Sequence, residues 1–196
     1  MGSPPSRKQI THDRIVETAA RAIRRGGFQG VGVADIMKEA GLPHGGFCAH
    51  FASRNALLAE ALERAGHDSA ERVAQGTAAR QACGHSALRA LVVGYLSATH
   101  LASCESGCPV AALVSEMPRQ APEVRAAGAL RVRSLIAAVQ RTLPAAAGPD
   151  DATVIAGQLV GALQLARAQG DNPQGKALLA ATRRSLLARF DRPAPA

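Results

Sequence analysis

Two stretches of this 196-residue chain carry side chains whose types and spacing could do chemistry. His100, Cys104 and Cys108 stand at i, i+4 and i+8. On a continuous helix an imidazole and two thiols would share one face, a set that suits a thiophilic metal. Gly107 and Pro109 interrupt that spacing, so thiol chemistry is the better match. Cys108 would lie near the start of the next helix, where the macrodipole favours thiolate, with Cys104 as a resolving partner or the second arm of an electrophile trap. The plainest alternative makes both cysteines, like Cys83, small structural residues at element ends. The second stretch, His44-Gly45-Gly46-Phe47-Cys48-Ala49-His50, presents imidazoles, a thiol and bare backbone on a short segment. Catalysis has little support. Glu105, Glu116 and Glu123 are scattered, no Ser/His/Asp arrangement or phosphate-binding loop occurs, and Gly26-Gly27 and Gly45-Gly46 follow no strand. The expectation is a non-enzyme with no cofactor and no resident metal.

The elements that must position the second stretch are legible in residues 31–62. Ile36, Met37 and Ala40 give a helix an apolar face, and Gly41 ends it, because glycine enters the left-handed conformation without steric cost. Leu42 plugs the turn, Pro43 opens a second helix, and Phe47 and Phe51 anchor it from below. Ser53 caps a third helix through Leu57, Leu58, Ala61 and Leu62. A helix, a glycine turn and a short exposed helix is the order a DNA-reading helix-turn-helix needs.

The stretch from about Arg7 to Leu62 resembles the N-terminal domain of the TetR/AcrR family of transcriptional repressors. The resemblance is carried by Gly26-Gly27-Phe28, by Ile36 with Ala40-Gly41-Leu42, and by His44 to Phe51 leading into Ser53-Arg54-Asn55-Ala56-Leu57. It implies that Pro43, His44, Gly45, Cys48 and Ala49 face bases or sugar-phosphate, that His50 and Arg54 hold phosphates, and that Val33 and Ala34 touch the backbone. Two departures stand out: Cys48 occupies a position where relatives commonly have tyrosine, and no Lys or Arg lies between Glu39 and Arg54. Fewer cations release fewer counterions, which implies weaker and less salt-sensitive binding unless Arg7, Lys8 and Arg14 contribute.

The net charge of +8 suits a polyanionic partner, but its distribution is uneven. Residues 1–25 hold six basic against two acidic residues, whereas residues 26–72 hold four against six. The C-terminal excess is scattered arginine. Apolar content is 47% with only 3% aromatics, built on alanine and leucine, so the chain reads as all-α. No apolar run is long enough to span a membrane, and the expected address is cytoplasmic. Met1 to Ser6 formally matches a myristoylation pattern but reads as a polar tail.

The expected organisation is a helix-turn-helix domain over residues 1–56 and a helical effector-binding and dimerisation domain over 57–196. The helix from Ser53 is expected to run to Val73, with a loop from Gly76 to Gly84. Helices follow from Ser86 to Ala102, Val110 to Arg119, Pro122 to Leu143, Asp150 or Asp151 to Ala168, and Asn172-Pro173 to Phe190. An apolar effector pocket is expected among Tyr95, Leu96, His100, Leu113 and Met117, with Leu135 and Leu159 beside it and Cys104 and Cys108 as sensing residues. Gly157 and Gly161, four apart between Val154 and Leu165, make a flat patch for a close helix contact. It is either an intrachain contact or, as the resemblance implies, a homodimer interface. The expected function is a homodimeric repressor on a palindromic double-stranded DNA operator, released by a small apolar or electrophilic effector. Two rivals remain: a redox or metal switch through Cys104 and Cys108, and a helical module that has lost DNA recognition.

Overall fold

The computed structural model describes residues 4–191 and is all-helical over them. Met1 to Ser3, the start of the myristoylation-like pattern, lie outside the described residues. Helix α1 (Arg7–Gly26) begins where the Ser6 side chain accepts from the Gln9 amide, 3.2 Å, and stops at Gly27, whose φ of 76° only glycine adopts cheaply. Helix α2 (Val33–Glu39) ends as expected at Gly41, φ 68°, with Leu42 N–H closing onto the Met37 carbonyl at 2.9 Å. A 3-10 segment, His44–Ala49, follows as the short exposed helix.

Helix α3 (Arg54–Ala82) starts at the Ser53 cap and continues for 29 residues. The loop expected from Gly76 is instead helix. Alanine-rich sequence supports it, and Arg80 Nη1 bonds the Gly76 carbonyl at 2.8 Å. A division at residue 56 therefore falls within the first turn of α3. The helix expected from Ser86 to Ala102 divides into α4 (Ala87–Tyr95) and α5 (Ala98–Ala102), because Leu96 leaves helical geometry and Ser97 caps the His100 amide at 3.1 Å. α6 (Pro109–Leu113) and the 3-10 turn Met117–Arg119 replace one expected helix. α7 (Pro122–Gln140), α8 (Asp151–Gln169) and α9 (Pro173–Phe190) complete the chain.

Two apolar clusters hold these elements. The first joins α1, α2 and the N-terminal half of α3 through Ile15, Ile23, Phe28, Ile36, Met37, Phe51, Leu57, Leu58 and Leu62. It also takes Leu113, Met117, Val124 and Ala127 from much later in the chain. The second packs α4 against α8 and α9 through Leu91, Val92, Tyr95, Leu96, Ile155, Leu159, Leu163, Leu179 and Leu186. α3 runs between them as a rod of about 43 Å. No described helix is long and apolar enough to cross a membrane.

Candidate nucleic-acid interface and effector cavity

Pro43, His44, Gly45, Cys48 and Ala49 are all exposed, while Phe47 is half-buried and Phe51 buried beneath them. The two phenyl rings stack at 5.5 Å, and His12 of α1 stacks on Phe51 at 4.5 Å while its Nε2 meets Glu60 at 2.7 Å. One edge of the segment is thus clamped and the other is free. A Cβ added at Gly45 would meet nothing, so bare backbone faces solvent there. Ala34 is exposed and Val33 half-buried at the start of α2. His50 turns inward. Its ring lies 6.0 Å from His12 and 6.4 Å from Phe51, and its Nδ1 is enclosed without a partner among the described residues. Arg54 donates to the carbonyls of Phe28 and Val31, so its guanidinium pins the α1–α2 loop. Arg7, Lys8, Arg14 and Lys38 are exposed cations on α1 and α2, without a carboxylate partner among the described residues.

A joint links this unit to the rest of the chain. Arg24, 3% exposed at the end of α1, donates through Nε to Ala20 O at 2.9 Å and through Nη1 to Gly107 O at 3.2 Å. Burial lowers its pKa to about 10, against the pull of Asp68, so it stays a cation at neutral pH. Cys104 Sγ donates to Arg24 O at 2.9 Å. Arg25 pairs with Glu39 at 2.7 Å and Glu105 at 3.3 Å. Glu116 accepts from the Phe28 amide at 3.0 Å, and Gly27 has no side chain where its carboxylate approaches. Glu105 and Glu116 read as scattered carboxylates because only the folded chain brings them to α1.

Of the expected sensing residues, Tyr95, His100 and Cys108 meet, whereas Cys104 lies at the joint. Helix α5 ends before Cys104, so His100, Cys104 and Cys108 share no helical face. His100 Nδ1 meets Tyr95 O at 2.7 Å and Nε2 meets the Cys108 amide at 3.0 Å, which assigns Nδ1 as donor and Nε2 as acceptor. Both ring nitrogens are occupied, and burial lowers the His100 pKa to about 4, a neutral ring at pH 7. Cys108 is 5% exposed and precedes a helix of only five residues. Burial raises the pKa of the neighbouring Tyr95 hydroxyl. Leu96, Leu113, Met117 and Leu159 lie in packed core. The open space runs along α3 and retains His100, Tyr95, Cys108 and Leu135 of the expected lining. A cavity of about 340 Å³ is lined by Ser69, Arg72, Arg80, Gly94, Ser97, His100 and Ser106. A smaller one of about 70 Å³, lined by Tyr95, Cys108, Arg131 and Leu135, shares Ser69, Val73 and Leu91 with it. Sequence reading missed Arg72 and Arg80 because it placed a loop at Gly76; their spacing of eight on a helix was the available signal.

The family model for bacterial regulatory proteins of the tetR family matches residues 15–61, from the core of α1 through the exposed segment into α3. Residues 15–61 thus carry the helix-turn-helix region of the tetR family. The chain is 29% identical over 174 residues to an uncharacterized HTH-type transcriptional regulator of Mycobacterium tuberculosis, covering 83% of this chain and 87% of that protein. Its fold is similar to that of reduced E. coli NemR, with a TM-score of 0.77 at 20% identity over 95% of this chain and all of that one. A TetR-family regulator from Agrobacterium tumefaciens has a TM-score of 0.72 at 24% identity, covering 93% of this chain and 98% of that one. The TetR-family match coincides with the segment whose outer face is exposed and whose inner face is clamped, and it ends where α3 enters the second half of the molecule.

Proposed function

We propose that this chain acts as a TetR-family homodimeric repressor on a palindromic operator, and that a small effector bound along α3 releases it. The observation that carries the reading is the joint at the end of α1. Cys104, Glu105, Gly107 and Glu116 all meet Arg24, Arg25 or Phe28, so movement in residues 103–116 must be felt by the DNA-reading unit. Each subunit would present His44, Gly45, Cys48 and Ala49 to a half-site, with Val33, Ala34 and the cations of α1 toward the backbone. Inward-turned His50 and loop-bound Arg54 contribute by holding the segment in place. For the dimer, Val154 and Leu165 are 37% and 60% exposed on α8, and a Cβ at Gly157 or Gly161 would meet nothing within its own subunit. Those four positions form one unoccupied stripe, the surface a second copy would cover.

The test is selection from a randomised DNA library with the full-length protein, followed by fluorescence anisotropy against the selected sequence. An inverted repeat bound by two protomers supports the reading. Enrichment of no sequence over random DNA at low salt would replace it with a binding module that has lost DNA recognition. A thiol-responsive second reading is favoured by Cys104, whose S–H donates at the joint itself. Alkylation there should weaken operator binding, and Cys104→Ser should abolish that response. Cys108→Ser tests the buried thiol in the same way.

A further inference from the structure

We propose that the cavity along α3 binds a small organic anion, its charged group held by Arg72 and Arg80 and its apolar tail received beside Tyr95 and Cys108. This rests on the ligand-responsive reading above and replaces an apolar effector with an amphipathic one.

Charge is the first observation. Arg72 and Arg80 stand about two turns apart on α3, and among the described residues no aspartate or glutamate lines either compartment. The nearby carboxylates of α3 are engaged elsewhere: Asp68 with Arg64 and Arg24, Glu71 with His67. Both arginines instead donate to main-chain carbonyls, Arg72 to Ser106 and Arg80 to Gly76. Neutral acceptors leave two positive charges beside a cavity, where a carboxylate or phosphate oxygen makes a stronger, charge-assisted bond. His100 adds no charge, because its ring is neutral and both nitrogens are engaged.

The shape is the second. A Cβ at Gly76 would fall 2.9 Å from Arg80 Nη1, and one at Gly94 would fall 3.2 Å from the same atom. Neither glycine has a positive φ, so neither is required by the backbone. Two helix-interior glycines that weaken helix propensity are explained by the room they give one guanidinium. Ser69, Thr77 and Ser97 supply hydroxyls to the same compartment. Beyond them, Val73, Leu91 and Leu135 make most of the inner wall apolar, with Arg131 also on it, and Tyr95 Oη lies buried there beside the Cys108 thiol without an oxygen or nitrogen partner among the described residues.

The consequence is regulatory. Arg72 holds the carbonyl of Ser106, the residue before Gly107, on which Arg24 of α1 rests. An anion that draws Arg72 into the cavity takes that bond from the loop and loosens the joint to the DNA-reading unit.

The experiment is calorimetric titration of the full-length protein with hexanoate, hexyl phosphate and hexanol at constant ionic strength, repeated on Arg80→Gln and Arg72→Gln. Saturable binding of an anion, with hexanol at least about tenfold weaker and Arg80→Gln weakening the anion about ten- to hundredfold, is expected. The preferred anion tells carboxylate from phosphate. Hexanol binding as well as the anions, no anion binding at millimolar concentration, or an unchanged Arg80→Gln would each overturn the proposal. Should Arg80→Gln not fold, Gly94→Ala keeps every charge while crowding the guanidinium, and it must weaken the anion selectively. Operator binding is measured separately. Anion binding that leaves operator affinity unchanged retains the site and refutes ligand release, whereas operator binding without anion binding retains the repressor and refutes the site.

Discussion

His100 makes stability fall with acid in a way its surroundings specify. As a neutral ring it donates from Nδ1 to Tyr95 O at 2.7 Å and accepts at Nε2 from the Cys108 amide at 3.0 Å. Protonation would aim a new N–H at an N–H, in a buried site with the positive charges of Arg167 and Arg72 nearby. Its pKa is lowered from 6.5 to about 4, chiefly by burial, so the unfolded chain binds the proton more readily. The stability that depends on neutral His100 is therefore complete above pH 6.5 and lost as pH falls from there towards 4. The full difference is on the order of 3 kcal/mol, with roughly 2 kcal/mol gone by pH 5. Urea denaturation at pH 8, 6.5 and 5 should show that loss in the parent protein. His100→Gln, which cannot titrate, should start lower from lost hydrogen bonds and then decline less. Comparing the two cancels the other titrating groups. Parallel curves for parent and variant would refute the reasoning.

Three further outcomes follow from local geometry. Glu116→Ala leaves the half-buried Phe28 amide without its acceptor and should cost about 1–3 kcal/mol by chemical denaturation, more than Glu123→Ala on the exposed first turn of α7. Gly41→Ala should cost about 1 kcal/mol although a Cβ there meets nothing, because φ is 68°; Gly41→Asn, which tolerates that conformation, should cost less in the same assay. Val154→Glu with Leu165→Glu should leave the thermal unfolding of a monomer nearly unchanged, since both are exposed, yet convert a dimer to monomer in analytical ultracentrifugation.

The features legible in the sequence are those set by local chemistry. Gly41 needs only its own backbone to end α2, Ser53 and Asn172 need only the next turn to cap α3 and α9, and Phe47 and Phe51 need only helical spacing to share a face. What was not legible depends on distant partners. α3 extends past Gly76 because α4 and α7 pack along it, which a polar, glycine-containing run does not announce. Ser97 looks like a helix interior until Leu96 turns out of helical geometry. Arg24 and Arg54 carry the composition of surface residues, yet each is drawn onto carbonyls from another element. The arginine wall of the cavity was missed for the same reason. The walls come from α3, α4, α5 and the loop beyond; of the leucines expected to line it, Leu96, Leu113 and Leu159 fill the core, while Leu135 lines the inner compartment.

The first apolar cluster implies that the DNA-reading unit loses much of its stability when cut from the rest of the chain. Residues 1–82 contain every helix of that unit and all of α3, but not Leu113, Met117, Val124 or Ala127, which are 0–6% exposed within the same cluster. Losing three large side chains from that core removes about 5–9 kcal/mol of burial. Loss of the Glu116 and Gly107 contacts leaves the Phe28 amide without its acceptor and Arg24 Nη1 without the Gly107 carbonyl. Small domains have only about 5–15 kcal/mol in total, so a loss of that size takes from about a third of the stability to all of it. A fragment of residues 1–82 should retain helical circular dichroism but unfold well below the cooperative thermal transition of the full chain. Adding back Leu113→Ala in the full chain should reproduce part of the loss, about 2–5 kcal/mol. A sharp transition in the fragment, near that of the intact protein, would show that the joint is a surface contact rather than shared core. If the core is shared, movement of α6 or α7 cannot be confined to the C-terminal half, and the DNA-reading unit is coupled to the cavity by packing as well as by the polar contacts of residues 103–107.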